Sequence, residues 1–91
     1  MAEHAQVAIT ILRRKQVQAR TGLSRSTLYL RIAEGTFPKP VSLGARAVGW
    51  PASEVEALNA ARISGESNSE IRYLVGKLEA ARKGSRVKGA R

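Results

Sequence analysis

The chain contains no cysteine and no aspartate, and its only histidine is His4. The first absence excludes disulfides and thiolate metal sites. The other two leave no ligand set for a metal and no means of assembling a Ser-His-Asp triad. No enzymatic constellation is present, and no cofactor is implied. Aromatic residues are scarce. Beyond Phe37 and Trp50 there are Tyr29 and Tyr73, too few and too far apart for the stacking platforms of an RNA binder. Long apolar runs are missing as well. The stretch MAEHAQVAITILRRK sets its apolar run AITIL before the positive charge, the reverse of a signal peptide. A cytoplasmic protein with no membrane partner is expected. With 91 residues the chain makes one small domain, whose thin core leaves no room for a large interior cavity.

Positive charge is what is abundant: 16 Lys and Arg against seven Glu, a net of +9. From Arg13 to Arg46 eight basic residues face Glu34 alone, a net of +7. From Ala47 to Glu70 the balance turns to −3, and from Ile71 onward it returns to +6. This pattern predicts a basic working face, an acidic back and a basic tail, with a polyanion as the natural partner. Solvated charge on a soluble protein is the plainer alternative.

Residues 1–10 read as a flexible N-terminus, and ILRRKQV opens a unit spanning 11–65. A short extended stretch leads into a helix from about Arg14 to Arg20, with Val17 and Ala19 facing inward and Thr21-Gly22 ending it. Ser24 is a favoured N-cap for the next helix, and Leu23 and Leu28 stand at the spacing of a hydrophobic staple. Leu28 and Ile32 form its buried stripe, and Gly35 with Phe37-Pro38 stops it. Two short helices joined this tightly outline a helix-turn-helix.

FPKPVSLGARAVGWP (37–51) changes the period. Val41 and Leu43, then Val48 and Trp50, alternate around a Gly44-Ala45-Arg46 turn. This predicts a hairpin over 40–50 with one buried face and a basic tip. A third helix follows, in which Ser53 and Glu56 fit a capping box, Pro51 also fits the first position, and Val55, Leu58 and Ala61 or Arg62 face inward. An amphipathic helix over 66–83 starts at a Ser67–Glu70 cap and carries Ile71, Leu74, Val75 and Leu78 on one face. Residues 84–91 are expected to form a disordered basic tail. The fold class is mainly α with a small β-hairpin: a winged helix-turn-helix plus a C-terminal helix.

The stretch TGLSRSTLYLRIAEG places mediocre helix formers, Ser24, Ser26 and Thr27, at the start of the helix over 24–34. At about 100° per residue, Leu28 and Ile32 point inward, while Ser26, Leu30 and Ala33 point out, flanked by Thr27 and Tyr29. Short hydroxyls let a helix end approach a phosphate or a base edge, and the N-terminus itself favours an anion. Arg25 can read guanine or clamp a phosphate, Tyr29 can reach a phosphate, and Leu30 can touch a thymine methyl. Together with the basic hairpin, this places residues 24–31 in a DNA major groove. Arg46 at the hairpin tip then reaches the minor groove or backbone, and Lys39, Arg13 and Arg14 contact phosphates. Read singly, these residues also fit ordinary capping, core covering and solubility.

ILRRKQV (11–17), TGLSRSTLY (21–29), GTFPKPVSLG (35–44) and RAVGWPASEVEA (46–57), in that order and spacing, resemble the AlpA family of prophage regulators. The resemblance runs from about Ile11 to Ile63. It implies a MerR-like DNA-binding domain in a bacterium or its prophage, and a small activator of integrase or excision genes associated with the nucleoid. By position it assigns Ser24, Arg25, Ser26, Thr27 and Tyr29 to the recognition helix, Lys39 and Arg46 to the wing, and Trp50 to the core. Members often carry a basic residue where this chain has Leu30; here Arg31 follows it and joins the DNA-contact candidates.

The expected partner is double-stranded DNA, bound by a transcriptional regulator. An excisionase that bends attachment-site DNA beside an integrase shares the same fold and charge, and only the target DNA separates the two. A basic protein-interaction module is the rival of another class. Its feature is the stripe Ile71, Leu74, Val75 and Leu78, which either packs on the domain's own core or pairs two copies into a homodimer with inverted half-sites.

Overall fold

Local signals set the helix-turn-helix. In the computed structural model, which describes the backbone from residue 10 to 90 and side chains from 10 to 83, strand β1 (Ile11–Leu12) leads into helix α1 (Arg14–Thr21). Gly22 ends α1 in the left-handed conformation at φ 77°, donating to the Gln18 carbonyl at 2.8 Å. The Thr21 hydroxyl donates back to the Val17 carbonyl (2.8 Å) and accepts from the Leu23 amide (3.3 Å), so this turn is cross-linked. Helix α2 (Arg25–Glu34) starts on the Ser24 cap and closes at Gly35, φ 83°. Its span agrees with the expected one. The expectation for residues 1–9 lies outside the described residues.

Strands β2 (Val41–Gly44) and β3 (Ala47–Pro51) form the wing, and β1 pairs with the other side of β3, giving an antiparallel sheet of order β1-β3-β2. Gly49 permits this. A Cβ there would lie 2.5 Å from Ile11 Cγ2 and 2.9 Å from the Leu12 carbonyl oxygen, so any larger residue pushes β1 away. The single buried face expected of the hairpin is not formed. Val41 lies opposite Gly49 and Ser42 opposite Val48, which puts Val41 on one face and Val48 with Trp50 on the other. A register shift between Ser42 and Gly44 leaves Leu43 unpaired and exposed.

Helix α3 (Ala52–Ile63) continues directly from β3. Pro51 is its N-cap and no side chain caps it, so the Ser53–Glu56 capping box expected from sequence is absent. Helix α4 (Asn68–Ala90) has the reciprocal cap expected of Ser67 and Glu70, with amide-to-side-chain bonds of 2.8 and 3.2 Å. Its backbone continues through 84–90, the stretch expected to be a disordered tail, and the side chains there lie outside the described residues.

One core joins the four helices with β1 and β3. Leu12, Val17, Leu28, Trp50, Val55, Leu58, Ala61, Ile71 and Val75 are buried together, with Leu23, Ile32, Leu74 and Leu78 packed at its edge. Ala19, expected inward, is exposed, and Val17 alone anchors α1. The stripe offered for homodimerisation is likewise committed inward: Ile71 and Val75 are buried and Leu74 and Leu78 pack beside them. No described helix is long and apolar enough to cross a membrane.

Candidate nucleic-acid interface

The exposed side of α2 is the centre of the candidate surface. Leu28 is fully buried, which turns Ser26, Leu30 and Ala33 to solvent as the helical period requires. At the N-terminal end the three hydroxyls form one cluster. Ser24 Oγ accepts from the Thr27 amide at 3.2 Å, donates to Thr27 Oγ1 at 3.0 Å, and lies 3.5 Å from Ser26 Oγ. Their first role is therefore capping. No acidic residue stands in this first turn, so the partial positive charge of the helix end is left open to solvent. Arg25 is exposed there, and its side chain makes no hydrogen bond among the described residues.

Beside α2 lies a groove lined by Arg13, Arg14, Lys15, Tyr29, Arg46 and Val48. Three elements far apart in the chain build it: the start of α1, the middle of α2 and the wing. Four of its lining side chains are cationic and none is acidic. Arg13 Nε donates to the Val48 carbonyl at 3.0 Å, which ties the wing to the start of α1, and Arg14 Nη1 donates to Gln18 Oε1 at 2.8 Å. Lys15 was not among the sequence candidates, although it follows Arg13 and Arg14 directly and stands on the same first turn.

Arg46 carries a backbone oddity. It is the one non-glycine residue with positive φ among those described, at 63°. An L-residue in this left-handed well costs on the order of 1 kcal/mol, and glycine would occupy it freely. A long cation is thus held at the wing tip against local backbone preference.

Two expected members sit elsewhere. The Lys39 amide donates to Glu79 Oε2 (2.9 Å), its carbonyl accepts from Arg82 Nη2 (2.8 Å), and it lines a cleft against α4, away from the wing groove. Arg31 turns toward α3 and shares a different cleft with Arg62. The structure therefore gathers Arg13, Arg14, Tyr29 and Arg46 in one groove. It places Ser24, Arg25, Ser26 and Thr27 at the adjoining helix end and Leu30 on the outward face, and it separates Lys39 and Arg31 from them. Among the described residues, no group of His and Glu side chains is arranged to hold a metal ion.

Residues 10–63 match the family model described as Prophage CP4-57 regulatory protein (AlpA). The chain belongs to the AlpA family. The AlpA match runs from the edge of β1 through α3, so it contains the helix-turn-helix, the wing and the groove, while α4 lies outside it. Uncharacterized protein ORF88 of Enterobacteria phage P4 is 52% identical to this AlpA chain over 54 residues. That alignment covers 59% of the chain and 61% of the phage protein's own length.

Proposed function

We infer that this AlpA chain is a sequence-specific binder of double-stranded DNA that regulates prophage genes. Helix α2 enters the major groove with Arg25, Ser26, Thr27 and Leu30 facing base edges. The wing carries Arg46 to the adjoining minor groove or backbone, and Tyr29, Arg13, Arg14 and Lys15 meet phosphates between them. The observation that carries the reading is the groove itself, where cations from α1 and the wing converge beside the recognition helix with no carboxylate among them. A DNA-binding surface also accounts for a strained arginine where glycine would be easier.

Selection of bound sites from random duplexes, followed by salt titration on the selected site, tests it. A defined motif with a steep salt slope is the expected result. Arg25→Ala should then lose about 1–3 kcal/mol on the selected site and relax specificity at one position. Arg46→Gly should weaken binding on selected and random DNA alike and lower the salt slope by roughly one phosphate contact. Its thermal stability should stay level or rise, because the backbone strain is relieved. Selection that yields no motif, or equal losses for both variants on both DNAs, would overturn the assignment. Tandem direct sites in attachment-arm DNA would instead favour the excisionase role beside an integrase.

A further inference from the structure

The recognition helix has a second flank. On the helical wheel Tyr29 turns toward the wing, and Thr27 and Arg31 turn the opposite way. Arg31 lines a cleft of about 250 Å³ between α2, the tight turn before it and α3, and Arg62 of α3 lines the same cleft. Leu58 and Phe37 contribute apolar surface, and Thr21 and Asn59 are on its wall. Thr21 spends its hydroxyl hydrogen on the Val17 carbonyl, Thr36, also on the wall, spends its own on the Arg31 carbonyl, and Asn59 spends one amide hydrogen on the Arg20 carbonyl at 3.0 Å. The two guanidinium groups are the charged donors that the cleft offers a ligand. Arg62 spends one nitrogen on Asn68 at 3.3 Å, and Arg31 has no side-chain bond among the described residues.

The electrostatics agree with the geometry. Partial desolvation in the cleft, and then the neighbouring Arg31 charge, make Arg62 give up its proton more readily than an ordinary arginine although the residue is exposed overall, and Glu34 offsets this only in part. No carboxylate lines the cleft. Two like charges on one cleft wall that carries no carboxylate favour an oxyanion between them, and guanidinium forks suit a phosphate.

A major groove about 12 Å wide is nearly filled by an α-helix, so phosphates of one strand pass on each side of it. The wing flank of α2 has its cations in Arg13, Arg14, Lys15 and Arg46. We propose that Arg31 and Arg62 form a second phosphate clamp, which grips the DNA strand on the side of the recognition helix away from the wing. This rests on α2 being the groove-reading helix. Arg62 is thereby a DNA contact contributed by α3, outside both the helix-turn-helix and the wing.

Arg62 is exposed, so Arg62→Ala should fold, and a thermal melt checks that it does. On the selected duplex its affinity should fall roughly tenfold, with a salt slope reduced by about 0.9. Arg62→Lys should recover part of the loss. Neutral methylphosphonate linkages, scanned along the duplex, should reveal one position that weakens the wild type as much as Arg62→Ala does and leaves that variant unaffected. Arg31→Ala should be insensitive at the same linkage. If the wild type binds the selected site and neither Arg62→Ala nor any far-side linkage changes it, the clamp is wrong and the DNA-binding reading stands. If inorganic phosphate shifts the Arg62 side-chain NMR signal while DNA affinity ignores the mutation, the cleft takes a free anion and the clamp is again wrong. If the wild type binds no duplex, both readings fall together.

Discussion

Trp50→Ala is expected to leave the protein largely unfolded at ambient temperature. The indole is fully buried, its edge meets Phe37 with ring centroids 6.4 Å apart, and its Nε1 donates to the Pro38 carbonyl at 2.9 Å. Truncating a buried aromatic costs about 3–5 kcal/mol, and the orphaned carbonyl adds about 1–3 kcal/mol. Small domains are stable by only about 5–15 kcal/mol in total. The position matters as much as the size. Trp50 is on the central strand, pairs with Leu12 of β1, and connects the wing to the segment that leaves α2. Trp50→Phe separates the two contributions, because it keeps most of the packing and loses only the hydrogen bond. Urea unfolding should therefore rank wild type, Trp50→Phe and Trp50→Ala in that order, with the larger gap at the last step. An alanine variant within about 1 kcal/mol of wild type would overturn this, because it would mean that the site collapses around the cavity and avoids the usual cost of such truncations.

Where the sequence foretold the structure, the deciding interactions were local. Ser24 and Gly35 bound α2 because a cap and a left-handed glycine act within a turn of their own position. Ser67 and Glu70 were legible for the same reason. The wing's faces were not, since a register shift at Leu43 breaks the period on which strand reading depends. Ser53 failed as a cap because β3 runs straight into α3 and gives the cap position to Pro51. The candidate interface shows the same division. The helical wheel placed Ser26, Leu30 and Tyr29 correctly, whereas Lys39 and Arg31 depend on partners more than twenty residues away. Arg62 carries no sequence signal at all. It reaches the flank of α2 only because α3 packs against α1 and shares a cleft with α2.

The same long-range logic governs α4. Three of its side chains hold the segment that joins α2 to the wing: Arg72 donates to the Glu34 carbonyl, Glu79 accepts from the Lys39 amide, and Arg82 donates to the Lys39 carbonyl. Arg82 also pairs bidentately with Glu54 at 2.6 and 2.9 Å. That carboxylate is buried at 7% side-chain exposure against 23% for the arginine. The Glu54 hydrogen bonds raise the Arg82 pKa against an opposing desolvation.

Arg82→Ala should accordingly cost about 3 kcal/mol, the low end for breaking a buried pair, because Glu54 is left charged without its partner. Glu54→Ala should cost less, since Arg82 is near enough to solvent to turn outward. Replacing both by leucine should restore much of the stability, as apolar isosteres of buried pairs do. Chemical denaturation of wild type, the two alanine variants and the double alanine variant closes the double-mutant cycle. Full additivity would mean that the pair is not coupled. The double leucine variant then separates two roles of Arg82. It regains the core but lacks the donor for the Lys39 carbonyl, so the base of the wing loses one tether while the fold survives. If α4 aligns the wing with α2, this variant should melt close to wild type and still bind the selected site less well, with affinity for random DNA changed little. On the proposed binding mode, non-specific affinity comes from the cations of the groove, whereas specificity requires helix and wing to be held at one fixed angle.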